Sequence, residues 1–406
     1  MNVITRLYYM VAPYVDARER RVARFFAGLR EHRSMVAARK QLQTLVQYDL
    51  AVVNLWTEHR YKGYDYLRKS QRRQLYENLH TITIDFDAFW QGYQSNEPDE
   101  HRKLLQAITA YCSETYQYRA SSTFGRLLRD PTQEKLVGDC NQIVTLYIHL
   151  FSRYCNVSEL QVRLLPGHVA LHYKGTDIEA TNGSFVDYSD TKDATLAPIE
   201  EIVSVNLLDT TDENFATHDV SPSDFLQAAR FAYMLSHERD IATHNLDVAY
   251  AKIVKQLMSE HHYDRALVFA KQSKAIDLLA TVGHNAAVYY MQQNKFAIAR
   301  KFAKHALKRR ELMDDSYRSE GAYYYNQKKY GEAVKAFTAV NDAVAIRKCY
   351  EGMFFAEQEK LPKDMTTASI AGYRKVIGAM YTYARKSGNA ELIAHAKQLR
   401  KYATKA

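Results

Sequence analysis

Gly138-Asp139-Cys140-Asn141-Gln142 opens a segment whose apolar residues, from Ile143, Val144 and Leu146 through Tyr147, Leu150 and Tyr154, recur at the three-and-four spacing of a buried helix face. Asp139 stands where a cap is expected, so the spacing predicts a helix beginning at Cys140. Unpaired backbone N–H groups and the macrodipole at a helix start favour an anion. On that ground the Cys140 thiol is expected below its free value of about 8.5, as a nucleophilic thiolate.

Downstream, His168 to Tyr173 reads as a strand that reaches a Lys174-Gly175 turn, with residues 177 to 181 returning as its hairpin partner. A two-residue turn sets Tyr173 opposite Thr176 and Ala170 opposite Glu179. Glu179 then lies diagonal to His168 on the same face, within reach of a long side chain. An acid there orients the imidazole as the third group of a triad does. The same register pairs His172 with Asp177, read as an exposed cross-strand pair, and residue order alone leaves Asp177 open as the acid.

Taken together, Gly-Asp-Cys-Asn-Gln opening a helix, His-Val at a strand start, and an acid before Ala180-Thr181-Asn182-Gly183 resemble the transglutaminase-like superfamily. Leu165-Pro166-Gly167-His168 and Asn182-Gly183 further resemble bacterial proteins that join such a domain to C-terminal tetratricopeptide repeats. The resemblance spans roughly residues 100 to 190 and the repeats. It implies a papain-like α+β fold, with Cys140 as nucleophile, His168 as general base and acid, and Glu179 where the superfamily usually has Asp. Val169 and Ala170 stand where an aromatic residue usually follows the histidine.

Such a site supports acyl transfer, in which a thiolate attacks an amide carbonyl and the acyl-enzyme is released to water (protease or amidase) or to an amine (transglutaminase). Nothing local decides between the two. The Cys140 backbone N–H is the expected first oxyanion donor, and Gln142 is close enough in sequence to be considered as the second.

A second pattern fills the C-terminal part. Tyr263-Asp-Arg-Ala266, Phe296-Ala-Ile-Ala299 and Tyr330-Gly-Glu-Ala333 recur at spacings of 33 and 34 residues, the tetratricopeptide period. An aromatic ends each turn and a small residue lets two helices approach. Residues 343 to 404 continue as a divergent repeat and cap, with a break at 360–364 and helices near 366 to 385 and 390 to 403. A stacked array forms a concave groove, whose expected occupant is a protein or peptide partner.

The first 95 residues carry amphipathic helical patterns over Val11 to Phe26, Met35 to Leu50 and Ala51 to Leu67, and residues 96 to 100 look like a boundary before a helix at Leu104 to Tyr118. The expected architecture is mostly α. A helical N-terminal region (1–95) precedes a transglutaminase-like α+β domain (96–200), a connecting segment (201–244) and a tetratricopeptide α-solenoid (245–406). The fractions of hydrophobic residues, 47%, and charged residues, 25%, are those of a globular protein rather than a disordered one.

Cys112, Cys140, Cys155 and Cys349 show no zinc-ligand spacing, so no metal, cofactor or disulfide framework is expected, which suits a reducing, cytoplasmic compartment. No stretch approaches the roughly 20 apolar residues of a membrane helix. Formal charge is +6 over residues 1–95, −10 over 96–244 and +13 over 245–406. The basic cluster Lys301, Lys304, Lys308, Arg309 and Arg310 suits a polyanion or a solvated face. No nucleic-acid module accompanies it, so nucleic acid is not the expected partner. Two functional classes remain: a cysteine acyl-transfer enzyme, and a degenerate scaffold acting through its repeats.

Overall fold

Asp16 accepts hydrogen bonds from the Arg18 and Glu19 backbone N–H groups and starts α1 (Ala17–Gly28). The long α2 (Met35–Thr57) kinks at Asp49 and runs into a π turn, Glu58–Lys62, closed by Gly63 at φ +71°. α3 (Lys69–Gly92) is a helix the apolar pattern does not single out, because its buried face mixes Leu75, Leu79, Ile82 and Phe86 with Arg72 and Asn78. The computed structural model describes residues 8–9, 11–29, 35–64, 67–119, 123–129, 132, 135–210, 220–363 and 370–405.

Asp99 caps α4 (Glu100–Thr115). The helix expected to reach Tyr118 stops at Thr115, because Tyr116–Tyr118 extends as β1 and pairs in parallel with β2 (Leu136–Gly138). A short α5 (Phe124–Leu127) intervenes, and the Glu58 carboxylate accepts from the N–H groups of Phe124 and Gly125 at its start. α6 (Cys140–Phe151) follows β2, and every residue of it except His149 is buried. A helix apolar on nearly all sides belongs in a core, and α6 packs against α2, α4 and the sheet.

That sheet has five antiparallel strands in the order β6-β5-β4-β3-β7: β3 Gln161–Leu165, β4 His168–Tyr173, β5 Thr176–Glu179, β6 Ser184–Val186 and β7 Thr195–Pro198. Lys174 (φ +44°) and Gly175 (φ +81°) make the two-residue turn between β4 and β5, so Tyr173 opposes Thr176 and His172 opposes Asp177. The described part of the connecting segment is helical, as α7 (Glu201–Leu208) and α8 (Pro222–Leu235). Its residues 211–219 lie outside the described ones. α9 (Arg239–Ser259) comes next.

The chain divides into two compact units, residues 1–253 and 254–406. Within the first, the N-terminal helices are fastened to the α+β part by Asn54 Nδ2 donating to Gln142 Oε1 (3.2 Å) and Gln43 Nε2 donating to Glu200 Oε1 (2.9 Å).

The second unit is an array of antiparallel helices: α10 Tyr263–Ser273, α11 Ile276–Gln292, α12 Phe296–Ala303, α13 Arg309–Asn326, α14 Tyr330–Ala339 and α15 Ala343–Gln358. α16 (Arg374–Ser387) and α17 (Ala390–Lys405) close it, and the helix start expected near 366 falls outside the described residues. Each aromatic that marks the sequence repeat begins a helix. Two residues before each one, His261, Asn294 and Lys328 adopt left-handed φ of +58°, +57° and +58°. The following N–H groups of His262, Lys295 and Lys329 reach back to the carbonyls of Leu257, Tyr290 and Tyr324, the Schellman pattern that closes a helix.

Small residues set the helix spacing. A methyl group on Gly283 meets the backbone of His305 and Ala306 at 2.8–2.9 Å. Gly283→Ala is therefore expected to lower the stability of the second unit by about 1–3 kcal/mol, by pushing α11 off the segment after α12. Gly378→Ala, with nothing within 4 Å of its added methyl, is the control and is expected to gain a few tenths to about 1 kcal/mol. Urea unfolding of both variants checks this, and equal midpoints would contradict it.

Candidate active site

Glycine at 138 has a packing reason: a methyl there runs into Leu127 Cδ1 and meets Ile143 Cγ1 at 2.9 Å. The strand therefore turns tightly into α6, with Asp139 as cap and Cys140 as the first helical residue. The β3–β4 turn, with Gly167 at φ +72°, sets His168 opposite Leu165 at the start of β4.

His168 Nε2 lies 2.6 Å from Glu179 Oε2. Glu179 is buried, and its oxygens also accept from the Tyr188 hydroxyl (3.0 Å), the Thr181 N–H (3.0 Å) and the Thr181 hydroxyl (2.5 Å). Burial works against this carboxylate, but the hydrogen bonds from His168 and Thr181 outweigh it and hold it at about 2. The bond to Glu179 in turn raises His168 above its ordinary value against partial burial, with Asp139 adding to the rise. The dyad is thus an imidazole fixed through Nε2 by a carboxylate that is itself fixed from three other sides. Nδ1 makes no hydrogen bond among the described residues.

The rival acid, Asp177, is engaged elsewhere. Its Oδ1 takes His172 Nδ1 at 2.8 Å and Arg163 Nε at 3.1 Å, while Oδ2 accepts from the Tyr188 N–H at 2.8 Å. The Gly175 N–H donates to His172 Nε2. The expected exposed pair is in fact buried, with Asp177 1% exposed. Arg163 on the neighbouring strand supplies the countercharge that burial requires, and a two-strand register does not include that partner.

Cys140 differs most from expectation. Its thiol is pushed up to about 12, first by burial and then by the neighbouring Asp139 carboxylate. The Val169 and Asn141 backbone N–H groups pull in the opposite direction without prevailing. The helix start alone favours a thiolate, but a buried sulfur beside an anion favours the thiol. Among the described residues Cys140 makes no hydrogen bond to His168. Both expected oxyanion donors are also occupied: the Cys140 N–H donates to Asp139 Oδ1 (2.6 Å), and buried Gln142 Nε2 donates to Asp209 Oδ2 (3.0 Å).

Cys140, His168 and Val169 nevertheless line one cavity of about 290 Å³ within the first unit. Leu164, Leu165, Val205, Leu208 and Ile241 form its apolar wall, and Asp139, Glu201, Asp209 and Glu238 bring carboxylates to it. Three of these acids come from the segment after residue 200, whose sequence carries no motif, and were missed for that reason. Asp139 is both the helix cap and a negative charge beside Cys140, a signal that its place next to the cysteine in sequence already carries. On the cavity wall itself, Asn141 Nδ2 donates to both Asn206 Oδ1 (2.9 Å) and Asp209 Oδ2 (3.0 Å), fixing the helical turn that begins at the cysteine.

Cys112, Cys155 and Cys349 are free thiols whose pKa values burial raises. Among the described residues no cluster of three His, Cys, Asp or Glu is placed to hold a metal ion, and no helix is long and apolar enough to cross a membrane. The chain matches no protein-family model, no curated protein and no solved structure.

Proposed function

We propose that the protein is an interaction scaffold, in which a transglutaminase-like, papain-like module with an unactivated cysteine is joined to a tetratricopeptide α-solenoid that grips a protein or peptide partner. The observation that carries this reading is the state of Cys140. Its thiol, pushed up to about 12, is protonated at neutral pH, has no hydrogen bond to His168 among the described residues, and stands where both expected oxyanion donors are occupied. A cysteine enzyme needs the opposite on all three counts. The left-handed turn residues recurring at 33 and 34 residues support the solenoid half of the proposal.

A specific observation favours a second reading, cysteine-dependent acyl transfer of the protease, amidase or transglutaminase-like kind. Cys140 and His168 face the same cavity, and Glu179 takes Nε2 of the imidazole, leaving Nδ1 for the thiol. In that reading the thiol proton passes to Nδ1 as sulfur adds to an amide carbonyl carbon. The C–N bond then breaks, with the amine leaving with that proton, and water or a second amine releases the acyl group from sulfur.

Mass-spectrometric iodoacetamide labelling of all four cysteines from pH 5 to 9, in the wild type and in His168→Ala, separates the two. The scaffold reading expects slow alkylation of Cys140 that rises only toward high pH and is unchanged by the His168 substitution. Selective alkylation of Cys140 below pH 7, reduced about tenfold or more in His168→Ala, overturns it in favour of acyl transfer.

A further inference from the structure

The basic run from Lys301 to Arg310 has no role in the site at Cys140, and it falls at the turn between α12 and α13. Packing decides which of its residues face water. With no side chain on Gly283, the backbone of His305 and Ala306 seats against α11, and Ala306 is 7% exposed. The N–H groups of His305 and Ala306 donate to the carbonyls of Phe302 and Ala303, which holds the turn. Lys304 and Lys308 are left exposed, and Leu307 is 74% exposed. α13 continues this surface: Leu312 and Ser316 belong to its buried face, while Arg310, Asp314 and Arg318 recur at every fourth residue along another. With Leu307, Lys308, Arg309 and Glu311 they line one shallow groove of about 610 Å³.

Cations outweigh acids there. Lys308 pairs with Glu311 (3.3 Å) and Arg318 with Asp315 (3.1 Å), whereas Lys304, Arg309 and Arg310 form no ion pair among the described residues. Lys271 of α10 and Lys304 both act through space on His305, so the positive field extends beyond the groove. Like charges gathered without partners repel one another, and a bound anion relieves that repulsion. The acids of the groove choose between polyanions. A phosphodiester backbone carries a charge at every nucleotide, and a single strand is held with bases stacked on aromatic side chains. Here Glu311 and Asp314 interrupt the positive surface, and no aromatic residue lines the groove among the described residues. A peptide can space its carboxylates to miss both acids and can set an apolar side chain on Leu307.

We propose that this surface docks an acidic segment of a partner protein, with its carboxylates on Lys304, Arg309 and Arg310 and an apolar side chain on Leu307. Such a segment gives a chemistry to the partner of the proposed function, and its docking rests on that reading for the second unit holding a partner at all. Cys140 has no part in it.

Fluorescence anisotropy with the full chain tests it, using a fluorescein-labelled peptide that repeats Glu-Leu-Glu-Gly, its Gln-Leu-Gln-Gly counterpart, and labelled oligothymidylate. The acidic peptide is expected to bind, with affinity falling several-fold from about 0.05 M to about 0.2 M salt, and the glutamine peptide is expected not to bind. Arg309→Gln/Arg310→Gln, at two exposed side chains without an ion pair among the described residues, is expected to weaken binding about tenfold. Leu307→Ser is expected to weaken it about threefold. Lys397→Gln/Lys401→Gln removes the same charge from exposed positions on α17 and is expected to leave binding unchanged. Equal binding of the glutamine peptide overturns the proposal, as does wild-type affinity in Arg309→Gln/Arg310→Gln or in Leu307→Ser. An equal loss in Lys397→Gln/Lys401→Gln overturns it by reducing the attraction to net charge, and tighter binding of oligothymidylate overturns it in favour of nucleic acid. Failure of the acidic peptide to bind overturns it while leaving the scaffold reading to stand or fall on Cys140 labelling, so the two fail separately.

Discussion

Glu19→Ala is expected to cost the first unit about 3–5 kcal/mol, a fall of roughly 10 °C in its Tm. Glu19 is fully buried and Arg72 is 1% exposed. They meet through Nε to Oε1 at 2.6 Å and Nη2 to Oε2 at 3.2 Å. Further hydrogen bonds surround the pair. Tyr76 donates its hydroxyl to Oε1 at 2.8 Å, the Val15 N–H reaches Oε2 at 2.7 Å, and Arg72 donates to the carbonyls of Leu67 (2.7 Å) and Pro13 (3.0 Å).

Removing Glu19 strands a guanidinium in a buried site, and the cost is the desolvation of that charge rather than the worth of the pair. The double variant Glu19→Leu/Arg72→Met removes both charges and is expected to recover part of the loss, the remainder being the cost of leaving the Tyr76 hydroxyl, the Val15 N–H and the Leu67 and Pro13 carbonyls without these partners. Thermal melts of the three proteins decide it. A single variant within 1 kcal/mol of wild type, or a double variant no better than the single, contradicts the account.

The same cluster shows where sequence reading stops. His168 and Glu179 stand eleven residues apart across one turn, so alternation and a Lys-Gly signal are enough to set the hairpin's register. The start of α6 at Cys140 is equally local. Glu19 and Arg72 stand 53 residues apart on two helices, and nothing in either helix announces the other. The cavity wall is non-local in the same way, since packing alone brings Glu201, Asp209 and Glu238 to line the cavity that Cys140 also lines. The thiol's state was misjudged for a related reason: the helix start is visible in sequence, whereas the burial that dominates the sulfur is a property of the fold. The repeats are legible because their contacts are between neighbours, so period alone carries them.

Glu58 gives a prediction with a definite sign in pH. Burial pushes this carboxyl up to about 7, against the pull of Lys62 and of the Phe124 and Gly125 N–H groups that it accepts. Between about 4.5, where the unfolded chain releases the proton, and about 7, the folded protein holds one proton more. Stability from this group therefore falls as pH rises across that window and is flat on either side. The span corresponds to about 3 kcal/mol at 1.36 kcal/mol per unit.

His59 and His149, which burial holds near 4, run the other way, because the unfolded chain binds their protons first as pH drops below about 6.5. The wild-type profile mixes these slopes, so the measurement is a difference. Glu58→Gln is expected to start below wild type at pH 5, because an amide cannot accept both backbone N–H groups, and then to gain on it up to about pH 7, where the difference levels off. Parallel stability curves over that range would sink the assignment. Lys62 ties this titration to the candidate site, since its ammonium donates to the Asp209 carbonyl and lies 3.8 Å from the Asp209 carboxylate that fixes Asn141 and Gln142. Once Glu58 ionises, that one cation serves two carboxylates, buried Glu58 and partly exposed Asp209. Amide exchange at Asn141 and Gln142 should then quicken, relative to distant amides, as pH passes 7 in the wild type and not in Glu58→Gln.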